Sequence, residues 1–573
     1  MPSRFAPALC SVCVITTVGA SAACGGDGVT IVTVRSRPAV RAVEELSVTM
    51  ANANATLTET FDVAGRSFPL SFSIATGGRD GDLTVGGVAL DGDGVAVGRG
   101  DSSVALGGTT EIELMLEPTD FGVNTSFLGD QALAFRLDAG GRQIAVSPDG
   151  VFTIGWSDSC QVVGRCDVFG RRFDVTGEPV TVALAAGTNQ FNFNRTNGLI
   201  GFEPTLATNR DGATVAAWSD GGELLAVVID EAGAATAITE TTIATGTAPT
   251  TPAATSLPGG RFIVAWTENT MTAGQFVVKA VWLDDRGTPV INPVTGTSAP
   301  YTVSTTLIND KAPPALVALG DQAEHALVWR NGSTLRGRFY TSAGMPRTPA
   351  DVLLGSFNID EIGEPQIAAL PPDVAVLFTR RTTGGDADQG QLVLRRVTNT
   401  GQRTGVDAIP ARELVTRPMG LATRDDGAIA AAWPACLSDS DGSACGIRFQ
   451  LFRPNLAAVG EAIYANSTLE NNQVEPSLAA LPDGSFVAAW SDGSQVFPDT
   501  DGFAIRARIL YPTYENTGEL GARCAASTEC GDGNLCMPGS DGPPRCYRAC
   551  AADRTCAFGG SCTTIGAESG CLF

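Results

Sequence analysis

The chain has 573 residues, too many for one ordinary domain, and 43% of them are hydrophobic, enough to fill real cores. A net charge of −23, with lysine only at Lys279 and Lys311, argues against nucleic acid or an anionic lipid surface as partner, since both select basic proteins. Gly, Ala, Thr and Asp abound while helix-period patterns are scarce, which suits an all-β protein.

Residues 1–23 have the form of a targeting segment. Arg4 supplies a positive start, Phe5–Val18 is short and apolar, and Gly19-Ala20-Ser21-Ala22-Ala23 leads to Cys24. Ser21-Ala22-Ala23-Cys24 resembles the signal of bacterial lipoproteins, which implies that Cys24 carries lipid and becomes the first mature residue. That family usually has Leu three residues before the cysteine, and ordinary cleavage after Ala22 or Ala23 is the rival reading. Cysteine arithmetic favours lipid: of 15 cysteines, Cys10 and Cys13 leave with the signal, and removing Cys24 leaves 12, an even number. Residues 24–29 are a short Gly-rich tether.

From 30 to 118 the pattern becomes alternating, with strands expected at Leu46–Thr49, Ala55–Val63, Phe68–Ile74, Leu83–Leu90, Gly94–Val97 and Glu111–Leu116. Six strands with Gly/Asp turns and no Trp fit a small β-sandwich of immunoglobulin or transthyretin type. Asp91-Gly92-Asp93-Gly94 is read as a turn.

Residues 119–514 repeat. Glu475–Gly493 (EPSLAALPDGSFVAAWSDG) reads as two apolar strands around a Pro-Asp-Gly turn, and weaker copies carry Trp156, Trp218, Trp266, Trp329, Phe378 and Trp433 ahead of Trp490. The mean step is about 56 residues, near the blade period of propellers. Pro204, Pro252, Pro314, Pro365, Pro418 and Pro476 lie 13 to 15 residues before their aromatic, and Gly150, Gly212, Gly260, Gly427 and Gly484 lie six before theirs. Proline suits the first residue of a strand because it cannot donate to the ladder, and the glycine suits the reversal. A third strand and a more polar fourth follow each copy, so seven four-stranded blades are expected. The seventh copy runs from Tyr514 into Glu515-Asn516-Thr517-Gly518 without a fourth strand. The missing piece is found ahead of the first copy as Phe121-Gly122-Val123-Asn124-Thr125, which is expected to complete the blade of Trp490. The repeat also resembles uncharacterised propeller-forming repeats of secreted bacterial proteins of the form P-x-x-A-x-x-x-D-G-x-F-x-V-x-W. Pro476, Ala479, Asp483, Gly484, Phe486 and Trp490 match it. That resemblance implies an extracellular propeller with no shared catalytic residues.

Cysteines fall in two settings. Cys160 with Cys166, and Cys436 with Cys445, are local pairs in propeller loops, too few for zinc and suited to loop-closing disulfides. Residues 515–573 hold Cys524, Cys530, Cys536, Cys546, Cys550, Cys556, Cys562 and Cys571 with few other apolar residues, so this module needs disulfide staples, with connectivity open. The spacing is similar to cysteine-rich repeats related to the Dickkopf N-terminal module, which implies a binding or spacing element.

Sites for chemistry are sparse. His325 is the lone histidine, sits in a propeller strand and has no evident nucleophile beside it, so it reads as structural. Ser147-Pro148-Asp149-Gly150 and Leu481-Pro482-Asp483-Gly484 resemble the Asp-box of sialidase propellers, but the spacing to Thr and Trp differs and no arginine triad stands out. The loops bearing Asp386 and Asp388, Asp439 and Asp441, and Asp499 and Asp501 set alternate carboxylates before or around tight turns, an arrangement calcium would suit, with solvated loops as the alternative. No other cofactor is expected. The expectation is therefore an exported, membrane-anchored lipoprotein of the cell envelope, at the outer membrane or cell surface and monomeric, touching the membrane through lipid only. Its propeller would bind a protein or glycan; the rival readings are a propeller-fold hydrolase acting on glycans and a structural surface component.

Overall fold

A computed structural model of the chain describes residues 28–512 outside a set of connecting segments, the longest being 134–141, 159–166, 183–188, 195–201, 357–363, 382–389 and 437–444. It also describes the backbone of short strands at 13–14 and between 534 and 572. Every regular element among the described residues is a strand. They divide into two compact units, one reaching Phe121 and including Arg508–Tyr511, the other holding Gly122–Ala507.

The first unit is the sandwich. Seven strands lie between Val29 and Pro118, one more than the six expected: the additional strand, Val29–Ser36 (VTIVTVRS), begins inside residues read as tether. One layer runs Leu70–Ala75, Val29–Ser36, Thr109–Pro118, the last two parallel with Val32 opposite Ile112. The other runs Ala55–Asp62, Glu45–Asn52, Gly81–Leu90, Ala96–Leu106. Alternation explains the packing: Val32 and Val34, Leu46, Val48 and Met50, Leu83 and Val85, and Ile112, Leu114 and Leu116 all turn into one core. Each large apolar side chain buried this way contributes about 1.5–3 kcal/mol. The layers join where Gly98 pairs with Pro118 and Arg99 with Glu117; a Cβ on Gly100 there would lie 2.0 Å from the Met115 carbonyl oxygen. The strand expected at Gly94–Val97 in fact runs from Ala96 to Leu106. A two-residue strand, Cys13–Val14, pairs with the edge of Leu70–Ala75.

The second unit is a seven-bladed β-propeller. Its inner strands are Ile144–Val146, Phe202–Thr208, Ala253–Leu257, Ala315–Ala318, Gln366–Leu370, Gly420–Thr423 and Gln473–Ala480, one per blade in chain order, and each packs against the next until the seventh meets the first. Blade 1 is the least regular, since Gln131–Ala132 and Ile144–Val146 both pair with its second strand, Phe152–Asp158. The repeated aromatic sits in every second strand: Trp156, Trp218, Trp266, Trp329, Phe378, Trp433 and Trp490 are at most 2% exposed. They pack between blades, as Trp266 of blade 3 does with Val215 and Ala217 of blade 2. Burial on both sheet faces is why these strands are continuously apolar. The turns follow the repeat as well. Gly484 takes φ +85°, its N–H donates to Leu481 O at 3.0 Å, and the Asp483 carboxylate accepts from Ser485 N at 2.9 Å.

The ring closes as expected. The seventh sheet orders Gln473–Ala480, Phe486–Asp492, Ala504–Leu510 and then Phe121–Gly122. Val123 N donates to Ile505 O at 2.8 Å, and Asn124 Oδ1 accepts from Ile505 N at 2.8 Å. This last contact is a signature of the fold. Asn194 accepts from Val168 N at 2.7 Å, Ser304 from Val278 N at 3.1 Å and Asn466 from Ile447 N at 2.8 Å, each just past a fourth strand and onto the third. The polar residue after the outer strand thus satisfies a backbone donor that the ladder leaves over.

Between 534 and 572 the backbone forms two antiparallel ladders, Asn534–Met537 with Arg545–Arg548 and Ser561–Ile565 with Glu568–Leu572. Their registers set Cys536 opposite Cys546 and Cys562 opposite Cys571.

Candidate functional site

The strand order fixes the end of the ring at which each connection lies. Antiparallel strands one to four bring the second-to-third loops and the blade-to-blade crossings to one end of the ring, and the first-to-second and third-to-fourth turns to the other. Long connections leave the strands at both ends: at the first, between Asp158 and Val168, Arg381 and Gly390, Cys436 and Cys445, and Asp492 and Ala504; at the second, between Phe173 and Gln190, Leu283 and Tyr301, and Phe339 and Val352. The first-to-second connections at the second end are tight turns, such as Ser147–Gly150 and Leu481–Gly484.

Of the residues singled out from sequence, Cys24, Cys160, Cys166, Asp386, Asp388, Asp439 and Asp441 lie outside the described residues, as do Cys524, Cys530, Cys550 and Cys556. Cys436 and Cys445 form the expected disulfide, facing each other across the second and third strands of blade 6. Asp499 and Asp501 belong to the ring closure. Asp499 Oδ2 accepts from Asn124 Nδ2 at 2.7 Å, its Oδ1 from Asp501 N at 3.1 Å, and Asp501 Oδ2 from Gly129 N at 3.2 Å. Burial pushes the Asp499 carboxyl above the usual range, against the pull of the Asn124 hydrogen bond. Among the described residues no group of three or more His, Cys, Asp and Glu converges as metal ligands.

His325 is fully buried. Its ring stacks on Tyr340 with centroids 4.1 Å apart, and Nδ1 donates to Ala323 O at 2.8 Å. Desolvation lowers its pKa to about 4, so it is neutral at pH 7. It holds a core together.

Two features are not evident from the sequence. The first is a set of buried glutamates placed just before the blade prolines: Glu203, Glu364 and Glu475. Glu203 and Glu475 take φ +54° and +60° at bulges in their inner strands, a conformation that costs about 1–3 kcal/mol for a residue of this kind. Glu203 accepts from Thr251 Oγ1, Glu475 from Ser491 Oγ at 2.7 Å, and Glu364 pairs with Arg330 at 3.3 Å. The second is Arg142. The register that sets Pro476 14 residues before Trp490 sets Arg142 14 before Trp156, so an arginine stands where other blades have proline. Its guanidinium enters the central channel, where Nη2 donates to Ile367 O of blade 5. The channel cavity beside it is lined by Thr205, Ala253, Ala315, Gln366 and Ile367, with a water-accessible volume of about 10 Å³. That is room for about one water molecule.

No protein-family model and no curated protein matches the chain. Solved structures do resemble it. The NanB sialidase of Streptococcus pneumoniae is 9% identical, with 82% of this chain and 95% of that one covered and a TM-score of 0.37. The α-L-arabinofuranosidase Arb93A of Fusarium graminearum is 10% identical over 53% and 91%, with a TM-score of 0.35. A protein of unknown function from Dyadobacter fermentans is 13% identical over 66% and 97%, also at 0.35. Likeness at this level carries no site residue to this chain.

Proposed function

We propose that this chain is an exported, lipid-anchored binding protein of the cell envelope that takes a protein or glycan ligand on the propeller end where second and third strands are joined. The observation that carries the reading is the small size of the channel cavity beside Arg142. Room for about one water is far below the volume of a sugar ring, which supports recognition outside the cavity, at the end where the second and third strands of each blade are joined. The test is a screen of full-length protein on glycan and protein arrays, repeated with 437–444 shortened to a Gly-Ser turn. Loss of a specific signal on shortening supports the reading; binding that is unchanged by alteration of each of the loops 382–389, 437–444 and 493–503 overturns it.

The anchor is tested separately. In a Gram-negative host the wild type should partition into detergent and Cys24→Ala into the soluble fraction, and equal partitioning sinks the lipid assignment. Calcium on the Asp386/Asp388, Asp439/Asp441 and Asp499/Asp501 loops is a further proposal, which predicts a melting temperature that climbs with calcium at fixed ionic strength. A second reading, hydrolysis of glycans, draws on the strained, buried Glu203 and Glu475. It requires turnover of an oligosaccharide that Glu203→Gln and Glu475→Gln abolish without unfolding the chain.

A further inference from the structure

The centre of the ring holds a cation that the described residues leave without a counter-charge. The guanidinium of Arg142 has one hydrogen bond among them, to a neutral carbonyl, Ile367 O. A guanidinium carries five donors, so most of its capacity points elsewhere. Burial acts on it unopposed, pushing its pKa down to about 10, and it remains charged at neutral pH. Arg142 is half-buried with its free donors open to the cavity, and an ion of opposite sign in that low-dielectric space offsets the cost of holding its charge there.

The cavity beside Arg142 has what such an ion needs. Thr205, fully buried on the inner strand of blade 2, accepts from Arg142 N at 3.3 Å through Oγ1 and so keeps its own proton to give. The walls at Ala253, Ala315 and Ile367 are apolar, with Gln366 as a further polar wall residue. Room for about one water suits a monatomic ion better than a carboxylate, sulfate or phosphate. We propose that the channel binds a single halide, chloride in an extracellular setting, held by the Arg142 guanidinium and the Thr205 hydroxyl. The ion would fasten blade 1, whose inner strand is interrupted, to blades 2 and 5.

Melting of the full-length protein tests this, with sodium chloride exchanged for sodium gluconate at constant ionic strength. The melting temperature should climb with chloride, bromide should substitute, and gluconate should not. Thr205→Val, which keeps shape and cation, should raise the half-saturating chloride about tenfold, the loss expected for one hydrogen bond to a charge. Arg142→Gln should remove the chloride dependence. If that variant fails to fold, Thr205→Val and an anomalous peak from bromide beside Arg142 in crystals decide the matter. Equal melting of the wild type in chloride and gluconate overturns the proposal, and so does a chloride dependence that survives Arg142→Gln intact.

Discussion

Two crossings between blades use the same chemistry at the same spacing. Where blade 6 hands over to blade 7, Asn466 Nδ2 donates to Gln473 Oε1 at 3.1 Å and Gln473 Nε2 to Glu470 O at 2.7 Å. Where blade 7 is completed and blade 1 begins, Asn124 Nδ2 donates to Gln131 Oε1 at 3.1 Å and Gln131 Nε2 to Gly129 O at 2.8 Å. Both asparagines also accept from the first residues of a third strand, Ile447 N and Ile505 N. The difference is distance along the chain. Asn466 lies 19 residues from its Ile447, whereas Asn124 lies 381 from its Ile505. The ring therefore closes with an ordinary crossing whose two ends come from opposite parts of the chain. Local hydrogen-bond patterns carry over unchanged, and only the loop-closure entropy differs.

The largest effect should come from breaking the long-range crossing. A chain beginning at Asp120 should melt cooperatively, while one beginning at Gly129 loses Asn124 and the outer strand of blade 7, and should lose about 3 kcal/mol or more. Equal melting would show that the crossing does not close the ring.

A pH series gives a reference from blade 4, far from both crossings. His325 has a folded pKa depressed from 6.5 to about 4, so the unfolded chain binds its proton first as pH falls. Stability present at neutral pH should therefore drop between pH 6.5 and 4, by up to about 3 kcal/mol. In His325→Phe the melting temperature should depend less on pH between 7 and 5, and an unchanged slope would exclude His325 as the cause.

The second-to-third loops of the two adjoining blades are tied in different ways. In blade 6 the Cys436–Cys445 bond closes a loop with a sequence separation of nine, and in blade 7 hydrogen bonds from Asn124 and Gly129 do the work. Cys436→Ser with Cys445→Ser should cost about 2–3 kcal/mol by the chain-entropy relation. Hydrogen exchange should quicken around Ile447 and leave Ile505 as it was.

The sharpest comparison has the smallest effect. Asn124→Ala and Asn466→Ala should each cost about 1–3 kcal/mol, since each strands one buried backbone donor. Similar losses support a shared chemistry. A loss at Asn124 several times that at Asn466 would mean that closure draws on contacts that the internal crossing lacks.

Much of the fold is legible in the amino-acid sequence. The Trp, Pro and Gly registers repeat because every blade must bury an aromatic, start a strand and turn a hairpin in the same places, so period and blade count survive heavy sequence drift. Closure is legible as an outer strand missing after Tyr511 and surplus before Trp156. The channel is harder. Arg142 announces itself only as a gap in the proline register, and a missing proline reads as drift until the ring shows that the position faces the channel. The glutamates before Pro204, Pro365 and Pro476 are hidden among 61 acidic residues. Val29–Ser36 is missed for a different reason: its alternation is plain, but it begins inside residues read as tether.

The position of Phe121–Gly122 also sets an order of events in making the protein. At a synthesis rate of about 5–20 residues per second, the 381 residues between Asn124 and Ile505 put about 20–80 s between the emergence of the two partners. Until then the propeller is an open arc, and its first-made segment has no strand to join. A nascent chain stalled before Ile505 thus carries the closing piece without the strand it joins, and its ring stays open. Chains completed side by side can each take the other's Phe121–Gly122, so synthesis at high local concentration should yield strand-exchanged dimers.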